Sequence, residues 1–483
     1  MTPTPSRRTV LQGLAAGSAV VAFDPVARSW AATADPGLPQ VPPLDGTLRT
    51  DAASLAAAAE DYGHIVHRTP AAVLSPGSVD DVVKMIRFCN AHGIKVAPRG
   101  QGHGTYGQAQ AAGGVIIETG PLNRIGTPEH GTVTVGAGAL WIDVLRATLQ
   151  HGLTPPVFTD YIELSVGGTL SVGGIGGQTH RHGAQVDNVL ALDVVTGAGE
   201  LVRCSPARHA DLFHAVLAGL GQCAVIVSAT IRLVPAPTAP TVRHYLLPYT
   251  DLAAFLADQR TLTRERRFDY VEGQVTADKN GAFTAYVLEA VAYDADVPEE
   301  TLLAGLGYDP AGVQRTTPTY FDFVNRVGPV AEELKKSGVW AYAHPWLNLL
   351  IPGERTAEVA GEILAGVTAA DVGAGLILLY PLERARLHAP LLPMPDDPVP
   401  YLFAILAATP STDTATVDRL LAANRAAYER TAAAGGTQYP VGSIPFRPAD
   451  WQEHFGAAWP QLVAAKHTYD PRGVLVPGQG IFG

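Results

Sequence analysis

Two hydrophobic periods alternate along the chain. Between residues 78 and 93, "SVDDVVKMIRFCNAHG" carries apolar side chains at 79, 82, 83 and 86, the spacing of one helix face. Ser78, with Asp81 three residues on, reads as its N-terminal cap and Gly93 as its terminator. Short apolar runs on either side, "AAVLS" (71–75) and "IKVAP" (94–98), predict strands, so the stretch is a βαβ unit. "GVIIET", "GTVTVG" and "LALDVVTG" predict further strands of that domain, and "DLFHAVLAGLG" a helix of it. The proline-rich "RLVPAPTAPTV" (232–242) marks a boundary. Past it, "YVEGQVT" and "AYVLEAVAY" alternate with period two, which predicts an antiparallel sheet. Alanine-rich stretches 357–369 and 415–434 predict helices beside it. The tail, "YDPRGVLVPGQGIFG", returns to the loop style of the first region and is expected to complete that domain.

Composition narrows the class. A chain of 483 residues exceeds what one hydrophobic core serves, so two or three domains are expected. The net charge of −11, without any clustered basic run, argues against a nucleic-acid partner. Cys89, Cys204 and Cys223 each lie in an apolar run, which predicts buried, unreactive thiols and no disulfide framework. No Cys/His spacing suggests a metal. At the N-terminus, Arg7 and Arg8 precede an apolar stretch too short and too alanine-rich to span a bilayer. Ala32-Thr33-Ala34 fits a small-x-small cleavage site. The segment resembles a twin-arginine signal, which implies export of a folded, soluble protein to the cell envelope or beyond.

The glycines carry the chemistry. "PRGQGHGTYGQAQ" crowds glycines around His103, where a backbone approaches a ligand closely. A dinucleotide fingerprint of the Rossmann kind is not supported. "VGAGALW" has Trp141 where the last glycine belongs, and "GLGQCA" (219–224) follows a helix instead of opening one. What remains is a set of separate glycine turns, at 100–107, 136–138, 167–168 and 173–177, expected to wrap a long ligand with backbone N–H groups.

Eight pieces taken in order resemble one family: "RGQGHGTYGQAQA", "FTDYIELSVGGTLS", "DNVLALDVVTGAGELV", "ADLFHAVLAGLGQ", "HPWLNLLIP", "LLYPL", "HFGAAW" and "YDPRGVLVPGQGIF". The protein is similar to cytokinin dehydrogenases (cytokinin oxidases), flavoproteins of the vanillyl-alcohol-oxidase type. The resemblance implies an α+β fold with a two-part FAD-binding domain and a central antiparallel-sheet substrate domain with flanking helices. The organisation expected is signal 1–34, FAD-binding domain 35–237, substrate domain 238–436, and C-terminal return 437–483. It further implies FAD-dependent oxidation of the C–N bond to the substituent of N6-isoprenoid adenines, giving adenine and an aldehyde. Oxidation of an alcohol, sugar or secondary metabolite by a related enzyme is the alternative, and an exported binding protein without turnover is a third class. The electron acceptor expected is oxygen or a quinone-like molecule, and the protein is expected to be a monomer with no membrane span.

Site residues carry over by position. His103 matches the histidine that the family bonds to the 8α-methyl of FAD, with Gly100, Gln101, Gly102, Gly104 and Gln108 in the same loop. Gly104 stands where many relatives have Ser. "FTDYIELSVGG" lacks the Cys of a second covalent link, so one bond is expected. Thr159, Ser165, Gly168, Thr169, Ser171 and Gly174 match the segment facing the pyrophosphate and flavin; Ile226 is expected near the adenosine and Gln479 on the flavin side. Asp160 matches the aspartate that takes the proton from the substrate nitrogen while hydride leaves the neighbouring carbon. It is expected to sit in an apolar surround of Phe158, Tyr161 and Ile162, which would raise its pKa. Phe158 replaces the usual Trp. Trp346, Asn348 and Tyr380, together with Asp160, match substrate-cavity positions, by ring stacking and by paired donor and acceptor. Glu272 and Glu289 lie in alternating strands, from which they could flank the cavity, but such strands often point Glu at solvent, and the two are left out of the site.

Overall fold

The computed structural model describes residues 41–293 and 296–482, and the backbone of two short strands at 22–24 and 29–31. The arginine pair and the Ala32-Thr33-Ala34 cleavage site lie outside the described residues. The βαβ unit forms around helix Val79–His92, whose cap is the one its sequence announces. The Ser78 hydroxyl accepts from the Asp81 N–H at 3.3 Å, and Gly93 ends the helix at φ 67°. Strands Ala72–Ser75 and Val96–Arg99 both run parallel to Val115–Glu118, which lies between them. Thr47–Arg49 closes this four-stranded sheet antiparallel to Ala72–Ser75. A second, antiparallel sheet orders Leu201–Cys204, Val189–Thr196, Ala224–Arg232 and Thr132–Gly136.

The central region builds one eight-stranded antiparallel sheet. "YVEGQVT" and "AYVLEAVAY" pair within it as Tyr270–Thr276 and Ala285–Ala292. Leu376–Pro381, Tyr401–Leu406 and Leu347–Ile351 continue the sheet from Tyr270–Thr276. Alternation divides its two faces. Val271 and Val275 belong to a core that also holds Phe255 and Leu262 of helix Leu252–Glu265, while Glu272 and Gln274 point the other way, into a cavity.

Two helices are shorter than their apolar patterns. The stretch 357–369 breaks into Thr356–Leu364 and the short turn Ala369–Val372, because Thr368 caps a new start through Asp371. Helix Ala210–Val216 stops early: Ala218 and Leu220 take positive φ and give their N–H groups to Leu170 and Ser171 carbonyls, both at 2.9 Å. The polypeptide then returns at its end. Thr437–Gln438 still edges the large sheet, and the crossing back follows it. Val96 N–H bonds the Val474 carbonyl and Val476 N–H bonds the Val96 carbonyl, each at 2.8 Å. Buried Lys466 locks this return by donating to Asp470 at 2.7 Å and to the Gln222 carbonyl at 2.9 Å. Cys89, Cys204 and Cys223 are free and buried, and burial pushes the Cys204 and Cys223 thiols to about 12. Among the described residues, no helix is long and apolar enough to cross a membrane.

Candidate active site

One cavity of about 480 Å³ lies between the glycine loops and the open face of the eight-stranded sheet. The sequence-derived site residues line it, from Gly100 in the attachment loop to Gln479 near the C-terminus, with a single exception. Gly174 is turned into the packing: its N–H is taken by the Tyr439 hydroxyl at 3.0 Å, and a Cβ there would strike Gln185. Its neighbour Ile175 faces the cavity instead.

The glycine turns divide in the same way. Turns 100–104 and 167–168 present bare backbone to the cavity. None of the glycines of turns 136–138 and 173–177 lines the cavity, which turn 173–177 reaches only through Ile175. A Cβ on Gly136 or Gly138 would meet the backbone of Leu122 or Thr119, and one on Gly177 would meet the Tyr270 ring at 2.4 Å. Those glycines let segments of the protein approach each other.

His103 is held by rings. Tyr62 stacks on it at 4.1 Å between centroids and on His344 at 4.0 Å, with Trp340 and Trp346 at the edges. Segment 61–63 straps the loop in place, since Tyr62 N–H bonds the Gly102 carbonyl at 2.8 Å and buried Asp61 accepts from Gly63 and Gly107. Burial first, then the charges of His344 and Lys335, hold the His103 ring down to about 3. The imidazole is therefore neutral at working pH, and no protein hydrogen bond among the described residues engages its nitrogens.

Asp160 stands in a charged cluster, not in an apolar pocket. Phe158 and Ile162 turn away into the core, at 2% and 1% exposure. Asp160 Oδ1 instead accepts from the Tyr270 hydroxyl and from Arg326 Nη2, both at 2.9 Å. Arg326 reaches Glu289 Oε1 through Nε at 3.1 Å and lies 3.6 Å from Glu272 Oε2. Glu272 and Glu289 are direct cross-strand partners, 1% and 4% exposed, and both line the cavity. Against the expectation from strand alternation, they belong to the site, because the face they share is covered and not solvated. Burial, reinforced by the charge of Asp160, pushes the Glu272 carboxyl well above its ordinary range. Burial would raise Glu289 too, but Arg326 and His244 outweigh it, so Glu289 titrates below its ordinary value. The cluster thus pairs a neutral acid with an anion across two adjacent strands. Arg326, absent from the sequence reading, sits between helices Tyr320–Val324 and Val327–Ser337. The one signal it gave was a lone cation in an apolar stretch.

Two buried donors complete the wall. Trp346 Nε1 and Asn348 Nδ2 have no partner among the described residues. Both residues line the cavity, on the segment that leads into Leu347–Ile351 and on that strand itself.

Comparison with known proteins agrees with this geometry. A family model described as "Cytokinin dehydrogenase 1, FAD and cytokinin binding" matches residues 279–482, and one described as "FAD binding domain" matches residues 70–205. Cytokinin dehydrogenase 7 of Oryza sativa subsp. japonica is 37% identical over 90% of this chain and 91% of its own length. An uncharacterized oxidoreductase of the fasciation locus of Rhodococcoides fascians is 39% identical over 90% of this chain and 99% of its own. The crystal structure of 6-hydroxy-D-nicotine oxidase from Arthrobacter nicotinovorans superposes with a TM-score of 0.68 at 21% identity, over 89% of this chain and 96% of that one. It is a likeness of fold, that of vanillyl-alcohol-oxidase-type flavoproteins. The residues that would hold FAD are on the glycine-walled half of the cavity, where Gly100, Gly102, Gly104, Gly167 and Gly168 line it without side chains beside the hydroxyls of Ser165, Thr169 and Ser171. With its matched domains and its relatives across nine-tenths of its length, the protein belongs to the cytokinin dehydrogenase family of FAD-dependent oxidoreductases.

Proposed function

We propose that this enzyme oxidises the C–N bond between N6 and the isoprenoid substituent of N6-isoprenoid adenines, with Asp160 taking the N6 proton. The observation that carries the reading is the pairing of a carboxylate oxygen with orphaned donors on one wall. Asp160 Oδ1 is engaged twice while no protein group among the described residues bonds Oδ2, and Trp346 Nε1 and Asn348 Nδ2 lack acceptors. An N6-substituted adenine supplies the complement: an N–H for the carboxylate, ring nitrogens as acceptors, and a planar ring for the Trp346 face. FAD, when bound, accepts the hydride from the carbon attached to that nitrogen. Asp160 removes the proton, the C–N single bond becomes an imine, and water splits it to adenine and an aldehyde. A panel of N6-isopentenyladenine, simple sugars and benzylic alcohols, assayed with an artificial electron acceptor, tests this. Turnover confined to sugars or alcohols would assign Asp160 to a hydroxyl proton and reject the adenine reading.

The neutral, ring-held His103 supports attachment of FAD through one of its nitrogens. Flavin is expected to stay with the protein through acid precipitation and denaturing electrophoresis, and His103→Ala to leave it extractable. Flavin released entirely from the wild-type protein would reject the covalent bond. The twin-arginine-like N-terminus supports export to the cell envelope or medium, with oxygen or a quinone-like molecule as electron acceptor and a monomeric enzyme. Arg7→Lys with Arg8→Lys should then leave folded protein in the cytoplasm. Normal export of that pair would point to another route.

A further inference from the structure

The guanidinium of Arg326 is held by an ion pair and by two aromatic rings. Its Nε lies on Glu289 Oε1 at 3.1 Å. The rings of Tyr270 and Phe323, T-shaped to each other with centroids 5.0 Å apart, both pack against it, their centroids 4.8 and 4.9 Å from its central carbon. The remaining edge presents Nη2 to Asp160 Oδ1 at 2.9 Å and to the Tyr270 hydroxyl. Tyr270 donates to the same Oδ1 at 2.9 Å. Two donors therefore converge on one oxygen of the carboxylate, and each is itself immobilised. Asp160 lines the cavity, and its Oδ2 is engaged by no protein donor among the described residues.

We infer that Arg326 is a positioning residue for substrate oxidation: anchored by Glu289 and packed against the rings of Tyr270 and Phe323, it pins Oδ1 of Asp160 and so reserves Oδ2 for the substrate N–H. The inference rests on the proposed role of Asp160. A base must meet its proton within hydrogen-bond reach, and a misplacement of about 1 Å can cost about a hundredfold in rate. The Asp160 carboxylate, at the end of a short, rotatable side chain and 27% exposed, is held in one orientation by the two donors on Oδ1, of which Arg326 carries the charge. The residue type matters as well. Guanidinium serves Glu289 from Nε and Asp160 from Nη2, two directions that one ammonium group cannot cover. The arrangement reaches outward through His244, whose Nε2 lies 2.9 Å from the same Glu289 oxygen that anchors Arg326.

The test is anaerobic flavin reduction by N6-isopentenyladenine in flavin-loaded enzyme, with substrate affinity read from the concentration dependence. R326Q is expected to slow reduction by about a hundredfold while affinity changes far less. R326K should be no faster than R326Q. The double variant D160N/R326Q should be no slower than D160N alone, because a base that is absent cannot be mispositioned. Guanidinium added to R326A should restore part of the rate, and ammonium should not. If the lone R326Q fails to fold, R326Q/E289Q removes both charges together and carries the same comparison. A slow D160N beside an R326Q of wild-type rate would overturn this inference alone, as would losses in the double variant that multiply. A wild-type rate in D160N would overturn the role of Asp160, and this inference with it.

Discussion

Glu272 and Glu289 show how much one residue's surroundings decide. They are chemically identical, cross-strand partners and equally buried, yet Glu272 keeps its proton and Glu289 gives its own up to the field of Arg326. Glutamine is nearly isosteric with a neutral carboxylic acid, so Glu272→Gln should change stability by less than about 1 kcal/mol. Glu289→Gln takes from a buried cation its strongest anchor and should cost on the order of 3 kcal/mol. Denaturant melts of the two variants decide it, and the reverse order of stability would contradict the assignment of charge. Alternation in "YVEGQVT" was legible and correct: Glu272 and Gln274 do share a face. What the sequence could not reveal is that this face looks onto a cavity instead of solvent, since the walls opposite come from distant parts of the polypeptide. Arg326 and Asp160 lie 166 residues apart, and nothing local joins them.

At the scale of elements, local signals read well and long-range ones poorly. The cap and terminator of Val79–His92 and the hairpin of the large sheet follow from short windows, because their hydrogen bonds are local, and the strands beside the helix follow from their short apolar runs. The roles of the glycine turns do not. Both kinds of turn have the same composition, and only the fold shows which abuts a cavity and which abuts protein. The turn ending at Gly177 offers a sharp check. A Cβ there would lie 2.4 to 2.7 Å from three atoms of the Tyr270 ring, whose hydroxyl holds Asp160. Gly177→Ala should therefore displace Tyr270, lower the melting temperature by overpacking worth about 1–3 kcal/mol, and slow flavin reduction while flavin content is kept. Gly113→Ala meets no neighbour within 4 Å but has φ 64°, so it should lose stability without touching the reduction rate. Equal effects of the two on reduction would show that Gly177 has no special bearing on the site.

For the whole molecule, the return of the C-terminal segment to Val96 makes the cavity a joint product of both ends and the middle of the sequence, so site and global stability are linked. Buried neutral histidines give that stability a pH dependence. Burial holds His180, His182 and His344 to about 4 and His454 to about 3, against an ordinary value of 6.5. Below that ordinary value the unfolded state binds protons that the fold refuses, so stability falls as pH drops, by up to about 1.4 kcal/mol per proton per pH unit. Asp61, raised by burial to about 6, and Glu272 act in the opposite sense and are outnumbered. Melting temperature should thus decline from neutral pH to about pH 5; a flat or rising profile would contradict the buried neutral state of these rings. The catalytic account itself is tested most directly by anaerobic stopped-flow mixing of flavin-loaded enzyme with N6-isopentenyladenine. Wild-type flavin should bleach with release of adenine and aldehyde, and Asp160→Asn, nearly isosteric and with its flavin retained, should bleach about 10²–10⁴-fold more slowly. Bleaching of the Asn variant within about threefold of wild type, far short of the range for a general base, would contradict it.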